Sequence, residues 1–187
     1  QTDWEHQGQV IATGSLAIAE LDKFLEDGTI QRVLFVPDDS TALESLSFTA
    51  NYLLLTVLHH VAAQVRVISL HEDFSESQMP LEDPMLSVSV GAVDDEDQAA
   101  GDDYWMTVTG FTTPTTLLRG TVGSAATAVK KSPERFNAEG LSVTQHFAAS
   151  ADGTRVPYFQ VAAVDLLLDG QNPVLMDGYG GFQHSMT

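Results

Sequence analysis

The residues best suited to chemistry stand together near the end of the chain, in Gly178-Tyr179-Gly180-Gly181-Phe182. Three glycines around a tyrosine, directly after the apolar stretch 173–176, describe a backbone that turns sharply and can be approached closely. A phenol held at a strand end can donate a hydrogen bond to a developing oxyanion. The same spacing also describes a tight turn with a packing tyrosine, and spacing alone leaves both readings open.

The other common sites are absent. No G-x-S-x-G elbow occurs, His71-Glu72 is not continued to H-E-x-x-H, and neither a phosphate-binding loop nor a dinucleotide fingerprint appears. With zero cysteines, disulfides, thiol catalysis and cysteine-ligated zinc are excluded. The six histidines are scattered. His59-His60 falls on a predicted strand, where neighbouring side chains point to opposite faces, so the pair is expected to be structural rather than metal-binding. The acidic stretch Asp94-Asp95-Glu96-Asp97 to Asp102-Asp103 resembles a calcium loop only superficially, because Trp105 stands where position twelve needs Glu. A solvated loop is the expectation there. No metal and no cofactor is expected.

Eight Lys+Arg against 26 Asp+Glu give a formal net charge of −18. Such a surface repels phosphate backbones and anionic lipid, so neither a nucleic-acid nor a membrane partner is expected. The composition, 43% hydrophobic and 18% charged, is that of a globular domain able to bury a core. The N-terminal stretch 1–9 is polar and lacks a basic signal-peptide region, and the apolar run 52–58 is far too short to span a bilayer. A cytoplasmic location is expected, with the periplasm as the alternative. The chain does not begin with methionine, so the start of the protein is expected upstream.

The segments that must position these residues read mainly as β-strands. Stretches 10–12 and 15–19 flank a possible tight turn at Thr13-Gly14, and 21–25 is ambiguous before the Glu26-Asp27-Gly28 turn signal. Strands are predicted at 33–36 and 45–49, and 52–59 with 65–70 forms a hairpin. The apolar run 53–65 also suits a buried helix, but the alternation of Val65-Arg66-Val67-Ile68-Ser69 favours strands. Further strands are predicted at 86–93, 104–110 and 115–119. The groups recur about every 45 residues, the spacing of propeller blades. A connector at 134–140 leads to strands at 141–148 and 156–164, and a third at 173–176 runs into the glycine-rich turn.

That tail resembles the entry into the α/β-hydrolase domain of the prolyl oligopeptidase family of serine peptidases. The resemblance rests on three words in order: Ser150-Ala151-Asp152-Gly153-Thr154-Arg155-Val156-Pro157, then Leu168-Asp169-Gly170-Gln171-Asn172-Pro173, then Gly178-Tyr179-Gly180-Gly181-Phe182. Residues 107–117 (TVTGFTTPTTL) resemble the family's propeller more weakly. The resemblance implies a propeller capping a Ser-Asp-His hydrolase domain that admits short peptides. It implies that Tyr179 donates to the oxyanion and that Phe182 lines the pocket for the substrate proline, with Gly180 and Gly181 in the substrate-binding turn. Basic-specific relatives typically carry Ser-Tyr in place of Gly181-Phe182, which favours the proline-cleaving branch. Asp177 departs from the tyrosine more usual before the turn. His184 and Ser185 do not match the triad.

The expected fold is therefore mainly β: a partial propeller of about three blades over 1–138, then the first strands of an α/β-hydrolase domain over 139–187. The chain is expected to be a fragment of a serine peptidase that cleaves short peptides after proline, inactive alone because its triad lies beyond Thr187. Its expected partners are peptide substrates and the remainder of its own polypeptide. The alternatives are a non-enzymatic β-propeller-type module that binds a protein, or an oligopeptidase of different specificity.

Overall fold

The computed structural model describes residues 2–6, 8–94, 96 and 101–178. Two four-stranded antiparallel sheets form its centre. One runs β5 (Thr41–Phe48), β6 (Tyr52–His59), β7 (Ala62–Ser69) and β8 (Glu76–Met79); the other runs β9 (Ser87–Ala92), β10 (Asp103–Thr109), β11 (Thr116–Thr121) and β12 (Thr127–Lys131). In both, strands adjacent in sequence are adjacent in the sheet, the meander order of propeller blades.

The first sheet is buried on both faces. Leu54, Val65, Val67 and Met79 share one core with Leu86, Val88, Val90, Tyr104 and Met106 of the second sheet region. Leu53, Leu55, Val57 and Ile68 face the other way and share a core with Phe35. This explains why 53–58 shows no strand alternation: with apolar neighbours on both faces, no polar side of the strand remains. The stretch is not a helix. It forms the expected hairpin, registered from Tyr52↔Ser69 to His59↔Ala62.

The N-terminal part is built differently from the two sheets. The ribbon of β1 (Trp4–His6) with β2 (Gln9–Ile11) is separate from the pair β3 (Leu16–Ile18) and β4 (Arg32–Phe35). The turn at Thr13-Gly14 forms, with Ser15 N–H donating to the Ala12 carbonyl at 3.1 Å, but the strands flanking it pair elsewhere. The ambiguous 21–25 stretch is the helix α1 (Leu21–Asp27), ended by Gly28 in the left-handed region (φ 75°) as its N–H donates to the Phe24 carbonyl. No described helix is long and apolar enough to cross a membrane.

Three strands, β1, β8 and β12, were not expected from the sequence. Every residue of β12 is exposed, so burial imposed no pattern on its side chains; its Lys130 and Lys131 suit an edge that must resist further pairing. After a connecting stretch at 132–140, β13 (Leu141–Ala149) and β14 (Arg155–Ala163) form a long antiparallel ribbon with nine registered pairs. The strand expected at 173–176 does not form among the described residues. Val174, Leu175 and Met176 are 86%, 97% and 91% exposed. A strand needs a neighbour to bond its backbone, and no described strand pairs with this segment.

Candidate functional site

Of the glycine-rich turn, Gly178 is described; Tyr179, Gly180, Gly181 and Phe182, with His184 and Ser185, lie outside the described residues. What is described is the scaffold leading to them. The word around Asp152 is the turn of the β13–β14 ribbon. Ser150 N–H donates to the Thr154 carbonyl at 2.8 Å, Gly153 N–H to the Ser150 carbonyl at 2.9 Å, and Thr154 N–H to Asp152 Oδ1 at 2.9 Å. The Thr154 backbone N–H, then the Thr154 and Ser150 hydroxyls, hold the Asp152 carboxyl below the usual carboxylate range. Gly153 has φ 88°, a conformation that other L-residues adopt only with strain.

The word around Asp169 is a second turn of the same kind. Asp169 Oδ1 accepts from Gln171 N–H at 2.9 Å, and the Asn172 side-chain amide donates to the Leu167 carbonyl at 2.6 Å. Both turns use an aspartate to satisfy backbone donors two residues on, followed by a glycine that reverses the chain. Their chemistry is structural.

The ribbon rests on the two sheets through one face. Gln145 donates its side-chain amide to the His60 carbonyl. The Phe147 ring meets the His60 imidazole at 5.0 Å between centroids and 82° between planes. The Arg155 guanidinium covers the Phe147 ring at 4.3 Å. Across the ladder from Gln145, Phe159 touches Phe111 of the β10–β11 loop at 5.5 Å. The opposite face carries His146, stacked on Tyr158 at 5.4 Å and within 2.9 Å of the Thr144 hydroxyl.

The histidine pair corrects a sequence expectation. The His59 and His60 rings are not on opposite faces but 4.5 Å apart. The reason is local: His60 and Val61 are the turn, with φ 47° and 66°, so strand alternation stops at His59. His59 Nδ1 lies 3.1 Å from the Thr41 hydroxyl, and His60 packs on Phe147. Among the described residues no group of three or more His, Cys, Asp or Glu is placed to hold a metal ion.

The acidic stretch is only partly a solvated loop. Asp95 and residues 97–100 lie outside the described residues. Asp102 reaches across to the β5–β6 turn: Oδ1 accepts from the Thr49 hydroxyl at 2.9 Å and the Asn51 N–H at 2.8 Å, and Oδ2 from the Asn51 amide at 2.8 Å. Burial pushes this carboxyl up, but the donors from Asn51 and Thr49 outweigh it and hold the group below the usual range. Asp103 accepts from the Thr121 hydroxyl and from Arg119, which lower it likewise. Nothing near Asp102 in sequence announces this role, because its partners lie some 50 residues away.

An open cavity of about 650 Å³ lies between residues 109–115 and 131–139, where the connecting stretch passes the β10–β11 loop. Its charges are partly self-neutralised, with Lys131 Nζ 3.3 Å from Glu134 Oε1. It brings together none of the residues expected to act on a substrate.

No profile of a known protein family matches the chain. Individual relatives do. The uncharacterized peptidase y4nA of Sinorhizobium fredii is 34% identical over 194 residues, which cover all of this chain and 26% of that protein. A prolyl endopeptidase of Elizabethkingia miricola is 33% identical over 85 residues, 45% of this chain and 12% of that one. In structure, the post-proline cleaving enzyme of Rickettsia typhi superposes with a TM-score of 0.79 over 97% of this chain and 26% of that one, at 24% identity. The chain thus spans about a quarter of the length of the full-chain relative. The antiparallel meander sheets agree with these likenesses: the chain belongs to the prolyl oligopeptidase family.

Proposed function

We propose that this chain is part of a serine peptidase that hydrolyses short peptides on the carboxyl side of proline. In this reading 1–138 belongs to the propeller and 139–187 opens the α/β-hydrolase domain. The observation that carries it is the order of three words along the sequence: two aspartate-glycine turns with defined hydrogen bonds, then the Gly178–Phe182 sequence. The similarity to a prolyl endopeptidase supports the same specificity.

The chemistry assigns each residue a part. A serine oxygen from outside these 187 residues bonds to the prolyl carbonyl carbon while a histidine takes its proton. The carbonyl π electrons move onto oxygen, and the Tyr179 hydroxyl donates to that oxyanion. Collapse breaks the C–N bond, the leaving amine takes the proton, and water then hydrolyses the acyl-enzyme. Phe182 packs against the proline ring, and Gly180 and Gly181 let the substrate backbone come close. The 187-residue chain alone lacks the nucleophile and turns over nothing.

The test is Tyr179→Phe in the full-length protein, assayed with a proline-containing chromogenic peptide. Loss of one oxyanion donor lowers kcat by about 10²–10³; a kcat within a few-fold of wild type removes Tyr179 from that role. Turnover of the same peptide by the purified 187-residue chain overturns its assigned inactivity.

A further inference from the structure

The β6–β7 turn is unusual in its residues. A two-residue hairpin with both central residues at positive φ is normally Asn-Gly, because both must enter the left-handed region. Here the residues are His60 (φ 47°) and Val61 (φ 66°), and a β-branched residue in that region is an outlier. Conformations of this kind persist where the surroundings over-determine them, and they collect at functional positions. His60 N–H donates to the Ser40 carbonyl at 2.8 Å, its carbonyl accepts from Gln145, and its ring lies between His59 at 4.5 Å and Phe147 at 5.0 Å.

Two of those four contacts come from the ribbon rather than from the sheet that owns the turn. The residues that supply them, Gln145 and Phe147, are on β13, and the Arg155 guanidinium on β14 lies over the Phe147 ring. An Asn-Gly turn would form the hairpin with less strain but would offer no ring to Phe147. The second support, Phe111 against Phe159, is a single tilted aromatic contact to the next sheet.

We propose that the strained His60-Val61 turn is the seat on which the β13–β14 ribbon is fixed, making His60, Gln145 and Phe147 positioning residues for the peptidase site. The proposal rests on the functional reading above. The ribbon is covalently continuous with the segment that ends at Gly178, so an error in its placement is carried toward Tyr179. None of the three residues touches substrate; they act through the ribbon.

The test uses the full-length protein and three variants. His60→Asn with Val61→Gly keeps the turn and removes the imidazole, Phe147→Ala removes the ring from the other side, and Phe147→Tyr restores it. Hydrogen exchange followed by mass spectrometry is expected to be at least about tenfold faster over 141–149 in the first two variants. Exchange over 52–69 should be no faster than in wild type. With a proline-containing peptide, kcat should fall at least about fivefold while KM changes less than twofold, and Phe147→Tyr should recover both readouts. Exchange over 141–149 within twofold of wild type in both disrupting variants overturns the seat. Faster exchange with unchanged kcat overturns the positioning role. A wild-type protein without activity on proline peptides overturns the functional reading and with it that role, while the exchange data still decide the seat.

Discussion

Asn51 gives Asp102 two hydrogen bonds on different carboxylate oxygens, one from its backbone N–H and one from its side-chain amide, both at 2.8 Å. The Thr49 hydroxyl adds a third at 2.9 Å. These bonds join the end of the β9–β10 loop to the β5–β6 turn, and the Ala50 N–H to Gly101 carbonyl bond at 3.1 Å runs beside them. The carboxylate is thus a clamp between successive sheets, placed where two apolar faces already meet.

Asp102→Asn puts an N–H₂ where one carboxylate oxygen received a donor. Hydrogen bonds to charged groups are worth about 1.5–3 kcal/mol, so a loss of that size in unfolding free energy is expected by urea titration at pH 7. The pH dependence has a definite sign. The folded-state pKa lies below that of the unfolded chain, about 3.9. The stabilisation is therefore complete above the unfolded value and is lost as pH falls through the folded one. The stability gap between wild type and Asp102→Asn should shrink below about pH 4. A gap that stays constant from pH 7 to pH 3 assigns the effect to packing instead.

Tyr104 and Gly120 face each other across the β10–β11 ladder, and the tyrosine ring lies over the glycine. A Cβ at position 120 would stand 2.5 Å from the Tyr104 hydroxyl oxygen and 2.6 Å from Cζ. Tyr104 is only 2% exposed, so its ring has nowhere to retreat. Gly120→Ala should cost about 1–3 kcal/mol as overpacking. Tyr104→Leu should cost markedly less in the Gly120→Ala background than in wild type, because the alanine fills part of the space that the ring gives up. Additive losses in this double-mutant cycle would show that the two side chains do not compete for one volume.

What could be read in the sequence follows from where the information lies. The β6–β7 hairpin was legible because Val65-Arg66-Val67-Ile68-Ser69 alternates, and both aspartate-glycine turns because their hydrogen bonds reach only two to five residues. β12 was not legible because a fully exposed edge strand has no buried face to pattern it. The His59-His60 geometry was missed because alternation was carried one residue too far, into a turn whose His-Val sequence does not announce left-handed backbone. Asp102 was missed because its partners are remote in sequence. Of the candidate site, Tyr179 and Phe182 rest on sequence words alone and lie outside the described residues, whereas the contact of the ribbon with His60 required the fold.

Thr56 offers the sharpest test of how the first sheet is packed. It is 1% exposed in the middle of β6, and its hydroxyl has no hydrogen-bond partner among the described residues. Its neighbours two residues away on the same face are Leu54 and Leu58, both in the core shared with the second sheet. A buried hydroxyl without a partner costs about 1–3 kcal/mol of lost hydration, and the shape of valine is nearly the same. Thr56→Val should therefore raise the unfolding free energy by up to about 1 kcal/mol, or about 2–4 °C in Tm for a domain of this size. Thr56→Ala should move the other way, because it also deletes a methyl group and opens a void between packed sheets. If Thr56→Val lowers Tm as much as Thr56→Ala does, the hydroxyl is bonded, and the interface between the two sheets holds a polar group or water at that point.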